Sequence, residues 1–134
     1  MAGASETLHE DAAKLKPETV DRHRAFVSLQ EELEAVDWYN QRVDAAGDPE
    51  LREILAHNRD EEKEHASMVL EWLRRHDGVL DQHLRRYLFT DKPILAIEEA
   101  ADEAGNAAPQ AETREGSLGI GSLRGTGSLN VAGN

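Results

Sequence analysis

Residues 61–66 read EEKEHA, and in them Glu62 and His65 stand three apart. Three residues make nearly one turn of α-helix, so the carboxylate and the imidazole point the same way. The pair offers an oxygen and a nitrogen donor, a set suited to Fe(II) but also to Mn, Zn and Co. Carboxylate-bridged di-metal sites in helix bundles use such a Glu-x-x-His pair twice, with one further Glu from each of two other helices. This chain carries the pair once. Alone, it reads first as a charged helix surface, and the surrounding elements must decide.

Residues 17–45, PETVDRHRAFVSLQEELEAVDWYNQRVDA, contain no interior glycine or proline and place apolar residues at helical spacing. Pro17 suits a first helical turn, and Glu18 suits the positive end of the helix dipole. The break is AAGDPE, where Gly47 ends the first helix, Asp48 caps the second and Pro49 takes its first position. The second helix runs through LREILAHNRDEEKEHASMVLEWLRRHD to a stop near Gly78. A shorter third helix is expected in VLDQHLRRYLF, ending before Pro93. The fold class is therefore all-α, an antiparallel two-helix hairpin with a short third helix. Residues 1–15 read as a flexible N-terminus, 16–97 as the helical domain and 98–115 as a disordered linker. The tail, 116–134, repeats Gly-Ser-Leu at 116–118, 121–123 and 127–129, too regularly for a pure spacer.

Each long helix carries an apolar stripe at packing intervals of three and four. In the second it passes through Leu51, Leu55, Asn58, Glu62, His65, Val69 and Trp72; in the first, through Ala25, Leu29, Glu32, Val36, Tyr39 and Val43. Glu62 and His65 interrupt one stripe, and Glu32 interrupts the other. A carboxylate in a packed seam is costly unless paired or bound to metal. Glu32 and Glu62 are equally far from Gly47, so in a hairpin both stand about 22 Å from the turn. With two intruding carboxylates at one level and an imidazole beside them, a metal site becomes the better reading. One hairpin supplies two carboxylates and one imidazole. Two hairpins meeting along these seams form a four-helix bundle with four carboxylates and two imidazoles, a complete di-iron set holding two Fe(II)/Fe(III) per dimer.

Composition agrees with a chain that needs copies of itself. Aromatics are 4% of 134 residues, little material for a private core. The formal net charge of −12 argues against nucleic acid or an anionic membrane as partner, and it suits the attraction of cations. No cysteine is present, which excludes disulfides, thiolate metal sites and cysteine nucleophiles and agrees with a cytosolic protein. The N-terminus has no apolar core of a secretory signal, and no stretch reaches the length of a membrane span. Two acidic sets flank the stripes: Glu31 and Glu34 with Trp38, and His57 with Glu61 and Glu64. Either set could hold a cation transiently, or form a solvated face with pairing four residues apart. Tyr39 follows Glu32 on its stripe by about 10 Å, as a packing aromatic or as a border of the site.

Three runs, EELEAVDWYNQRVDA, DPELREILAHNRDEEKEHASMVLEWLRRHD and HLRRYLFT, closely resemble the encapsulated ferritins, short ferritin-like proteins carried inside encapsulin shells. The resemblance covers roughly residues 17–97, and LGIGSLRG resembles the encapsulin-targeting peptide of such cargoes. It implies a half-ferritin whose dimers, each a ferritin-like four-helix bundle, assemble into a decameric ring. It further implies a ferroxidase centre of Glu32, Glu62 and His65 at the dimer interface, oxidising Fe(II) with O2. By motif, Glu31 and Glu34 with Trp38 match a secondary metal site, and His57, Glu61 and Glu64 look like a peripheral one. Leu118, Ile120 and Leu123 would dock the tail onto the shell wall, placing the protein in a prokaryotic cytoplasmic nanocompartment where the iron mineral is stored. The competing expectation is a non-catalytic metal-binding cargo module that buffers divalent cations; a structural oligomer with zinc at the same ligands is a third.

Overall fold

Pro17, with its fixed φ and no N–H to leave unpaired, opens α1 (Pro17–Ala45) in the computed structural model, which describes residues 8–105. No side chain caps this end; the Lys16 carbonyl takes the N–H groups of Thr19 (3.0 Å) and Val20 (3.2 Å). Twenty-nine residues without a breaker then run to Ala45. Ahead of α1, residues expected to be flexible include one 3-10 turn, Ala12–Lys14, whose entry Asp11 caps at the Ala13 N–H.

The hairpin turn is built from side chains. Asp48 accepts the Leu51 N–H at 2.8 Å and starts α2 (Pro49–Arg75), with Pro49 at its first position and Glu50 in its first turn. Arg52, one turn into α2, donates to the Ala46 carbonyl from Nη2 at 2.6 Å and from Nε at 3.2 Å. That carbonyl lies just beyond α1, on a residue already in extended geometry. Gly47 therefore does not close α1 through a left-handed glycine: no described glycine has positive φ. Arg52 satisfies the open end from the other helix.

At the far end of the hairpin a second corner forms. Asp77 accepts the N–H groups of Val79 (3.1 Å) and Leu80 (3.0 Å) and so caps α3 (Gly78–Tyr87). Arg74 pairs with Glu71 at 2.6 and 2.8 Å and also with Asp81 on α3, which in turn accepts from Arg85 at 2.9 Å. Arg22 on α1 donates to the His76 carbonyl at 3.2 Å, and Trp72 stacks on His76 with ring centroids 3.9 Å apart. Both ends of the hairpin are thus pinned by hydrogen bonds between elements.

Between those ends the packing is thin. Among the described residues only Ala66 and Leu73 are buried, while Phe26, Leu33, Ile54 and Met68 stay exposed along the two helices. Every member of the α1 stripe from Ala25 to Val43 is half-buried, as are Leu55, Asn58, Glu62, His65 and Val69 on α2. The seams are where the helices meet, but each is covered on one side only. Among the described residues the secondary structure is entirely helical, and no helix is long and apolar enough to cross a membrane.

The chain divides at Arg86 into a second unit. There α3 ends at Tyr87, two residues before its expected limit, because Phe89 adopts φ 60° and is fully exposed. The linker expected from residue 98 instead starts as helix: α4 covers residues 94–105. Pro93 opens it, its carbonyl accepting from Ala96 and Ile97 at 3.1 and 3.3 Å. The alanines read as linker are the best intrinsic helix formers, and lack of an apolar stripe does not cancel that preference. The rest of that linker and the Gly-Ser-Leu tail lie outside the described residues.

The corner network makes stability acid-sensitive. The Glu71 carboxyl is pulled from 4.5 to about 2 by the Arg74 and Arg75 guanidiniums. A carboxyl depressed on folding contributes stability above its unfolded pKa and loses it as pH falls through the folded one. In metal-free protein, the fall in Tm between pH 5 and pH 3 should be shallower for Glu71→Gln than for the parent; equal slopes would remove Glu71 from the account. Leu73, 1% exposed, should lose about 2–5 kcal/mol on replacement by alanine, read by urea unfolding.

Candidate metal centre

The hairpin turn fixes which residues of α1 and α2 lie side by side. Glu32 stands thirteen residues before Ala45, and Glu62 thirteen after Pro49, so the two carboxylates share one height. His65 follows Glu62 by nearly one turn on the same face. His65 Nδ1 lies 3.3 Å from Glu62 Oε2 and 3.7 Å from Glu32 Oε2. One donor atom from each of the three lies within 4.8 Å of the others. Among the described residues, no other group of three or more His, Cys, Asp or Glu side chains meets that criterion. The carboxylates are 26% and 23% exposed and the imidazole 45%, so the group is recessed but reachable.

Its electrostatics are those of like charges forced together. The Glu32 carboxyl is raised above its ordinary value, first by a hydrogen bond with Glu62, then by burial and by the charges of Glu62 and Glu31. Glu62 is lowered, chiefly because it accepts that hydrogen bond, with His65 adding to the effect. One hydrogen bond between the two carboxyls thus pushes Glu32 up and Glu62 down, as expected for like charges sharing a site. His65 is raised, first by its hydrogen bond to Glu62 and then by the charges of Glu32, Glu62 and Glu61. A cation among these three groups would relieve the repulsion that raises Glu32. Two carboxylate oxygens and a ring nitrogen match the donor chemistry of Fe(II), and three donors from one chain are too few to enclose two ions.

The remaining residues singled out by spacing fall around this group. Glu34 is half-buried, and Glu31 and Trp38 are exposed; of these, Glu31 acts on the centre through its charge on Glu32. His57 Nε2 lies 3.0 Å from Glu61, both more than half exposed, and Glu64 is exposed as well. Glu61 acts on the centre by raising His65. Within one chain neither acidic set forms a three-ligand group. Tyr39 is half-buried with the Arg42 guanidinium 5.1 Å from its ring centroid. Leu118, Ile120 and Leu123 lie outside the described residues. Arg59 was not anticipated: it pairs with Asp60 at 2.9 Å and reaches Asn40 on α1 at 3.4 Å, a link across the hairpin one turn from Glu62. No local pattern announces it, because its partner is nineteen residues away.

The family model described as EncFtn-like matches residues 7–91. The chain belongs to the EncFtn-like family. Among relatives, an encapsulated ferritin-like protein of Rhodospirillum rubrum is 63% identical, over 96% of this chain and 96% of its own. A ferritin-like protein of Thermotoga maritima is 50% identical over 89% of this chain and 99% of its own. An encapsulin nanocompartment cargo protein, EncC of Myxococcus xanthus, is 30% identical over 73% of this chain and 80% of its own. The fold is similar to the crystal structure of protein ne0167 from Nitrosomonas europaea, with a TM-score of 0.63 and 63% identity. That match covers 65% of this chain and 96% of that one. Membership in the EncFtn-like family agrees with the all-α fold and with the position of the three-residue group inside the matched region.

Metal binding at this group competes with protonation of His65. Protonated His65 cannot ligate, and its pKa lies above the ordinary 6.5, so affinity should climb with pH through and beyond that value. Below the raised pKa the gain is up to about tenfold per pH unit for one displaced proton. Co(II) titrations at pH 6, 7 and 8 in buffers of different ionisation enthalpy read both the affinity and the protons released. His65→Ala should flatten the dependence; an unchanged slope would take His65 out of the ligand set.

Proposed function

We propose that this protein is a ferroxidase, oxidising Fe(II) to Fe(III) with O2 at a di-iron centre shared between two copies of the chain. The observation that carries the reading is the meeting of Glu32, Glu62 and His65 at one level of the hairpin. One chain offers three donors. Two chains offer four carboxylates and two imidazoles, and four negative charges balance two divalent cations. The one-sided cover of the seams and the exposed Phe26, Leu33 and Met68 leave a face that a second hairpin would bury, completing a four-helix bundle.

In this reading iron is the substrate. Glu32 and Glu62 hold it through oxygen and offset the added charge as each Fe(II) gives up one electron, the pair delivering two to O2. His65 supplies the nitrogen donor and must be neutral to do so. Glu31 and Glu34 beside Trp38, and His57, Glu61 and Glu64, draw cations toward the centre; Tyr39 borders it from the partner copy. Family membership supports further assembly of the dimers into a ring of ten. The names of the Rhodospirillum rubrum and Myxococcus xanthus relatives support a place inside an encapsulin shell in a prokaryotic cytoplasm, with Leu118, Ile120 and Leu123 as the docking side chains. Iron mineral would then be stored in the shell.

Glu32→Ala, Glu62→Ala and His65→Ala should each bring Fe(II) oxidation down to the uncatalysed background in stopped-flow runs with oxygen-uptake measurement. Wild-type rates in any of them would break the site assignment. A chain that binds Fe(II) but takes up no O2 beyond background would instead be a cation-buffering cargo module. Native mass spectrometry with and without Fe(II) tests the shared site: iron should enrich the dimer, and an unchanged dimer fraction would contradict it.

A further inference from the structure

The second unit of the chain holds a cavity of about 660 Å3 that the metal chemistry does not use. Its apolar floor is Ala96, Ile97, Ala100 and Ala101 on α4, and its polar rim includes Arg86, Asp91 and Lys92. Ile97 and Ala101 are the half-buried residues of that helix, so the floor is its inward face. The volume is in the range of sites that take a small ligand or a few side chains. Three alanines around one isoleucine leave a smooth floor with room for branched apolar groups. Two cations on the rim face an otherwise acidic chain with net charge −12.

We propose that residues 116–123 of this same chain, GSLGIGSL, fold back into this cavity and are thereby kept from other partners. The chain leaves the described residues at Gly105, on the helix that forms the floor, and residues 106–115 intervene before the segment begins. Ten residues reach at most about 35 Å. The return from Gly105 to Ala96 along α4 is about 14 Å, so the tether is long enough. Leu118 and Ile120 are two apart and fall on one side of an extended segment. In the sequence Glu112, Arg114 and Glu115 precede the segment and Arg124 follows it, while the rim carries Arg86, Lys92 and Asp91.

The consequence is competition, and it rests on the reading that the same segment docks on an encapsulin shell. A tether of this length gives an effective concentration on the order of 1 mM. A cavity that binds the segment with Kd about 0.1 mM then leaves about a tenth of chains open and weakens capture by a shell about tenfold. A single cargo chain is masked, while a shell presenting many docking positions can still draw out the tails of an oligomer.

The chain has no cysteine, so disulfide trapping can be done in the full protein. Ala100→Cys with Ile120→Cys should cross-link within one chain at least about tenfold more than Glu103→Cys with Ile120→Cys, position 103 being exposed on α4 and outside the cavity lining. Mixing labelled and unlabelled protein before oxidation identifies intrachain bonds by mass spectrometry. Equal yields for the two pairs, or bonds only between chains, overturn the proposal. Ala100→Trp fills the cavity and alters no residue of the metal centre; it should leave Fe(II) oxidation unchanged and raise the affinity of the full chain for encapsulin shells about tenfold. Equal capture of parent and Ala100→Trp overturns the masking. Shells that take neither form, with the 100–120 cross-link present, overturn the docking reading and leave the fold-back standing.

Discussion

Two carboxylates held at one level in a half-buried seam are the constraint on which the rest of this chain turns. Glu32 and Glu62 cannot both be bare anions there without repulsion in a place where water screens poorly. Something positive must stand between them. In the metal-free chain the same demand raises both the Glu32 carboxyl and the His65 imidazole above their ordinary values. Apolar residues in these three positions would make a better-packed hairpin, with more than Ala66 and Leu73 in its core. The sequence gives up that packing in the middle of both helices, and the helices are held instead at their ends.

Those ends set the chemistry as much as the stability. A one-residue slip at the turn would rotate a side chain by about 100° and shift it by about 1.5 Å. Either change would separate Glu32 from Glu62. Asp48 fixes where α2 begins, and Arg52 closes the end of α1 from the opposite helix. At the other end Arg22 holds the His76 carbonyl, and the Glu71–Arg74–Asp81–Arg85 chain of ion pairs fixes α3 on α2. Exposed ion pairs contribute little one by one, but a connected set with bidentate arginine geometry fixes direction. The turn and the corner act as a ruler for a site in neither of them.

What could be read from the sequence was whatever depends on helical period and on distance from a turn. Glu32, Glu62 and His65 stood out because they broke stripes at matching heights, and the hairpin brings them together as that arithmetic requires. The helix limits followed from Pro17, Asp48 and Pro49. What escaped depends on partners far apart in the chain or on weak preferences. Arg59 to Asn40 and Arg74 to Asp81 have no local signature. Gly47, read as the end of α1, lies two residues past it, and Arg52 closes that end from the other helix. The helix over 94–105 was hidden because alanine propensity carries no stripe, and a stripe was the signal being sought. Half-burial of the seams was not legible either, since a period says which residues share a face and not how many neighbours that face has.

Half-burial also bears on why such a site would suit iron in transit. A resident metal is best enclosed by a full set of protein ligands from one chain, with its second shell satisfied. This chain supplies three donors, one of them 45% exposed, and leaves the enclosure to be completed from outside. An ion at one hairpin alone would have three donors from the chain and open positions besides. The exposed Glu31 and Glu61 already reach Glu32 and His65 through their fields. On the proposed reading, a cation arriving at the centre would meet those charges as well, and His65 could ligate it only when neutral.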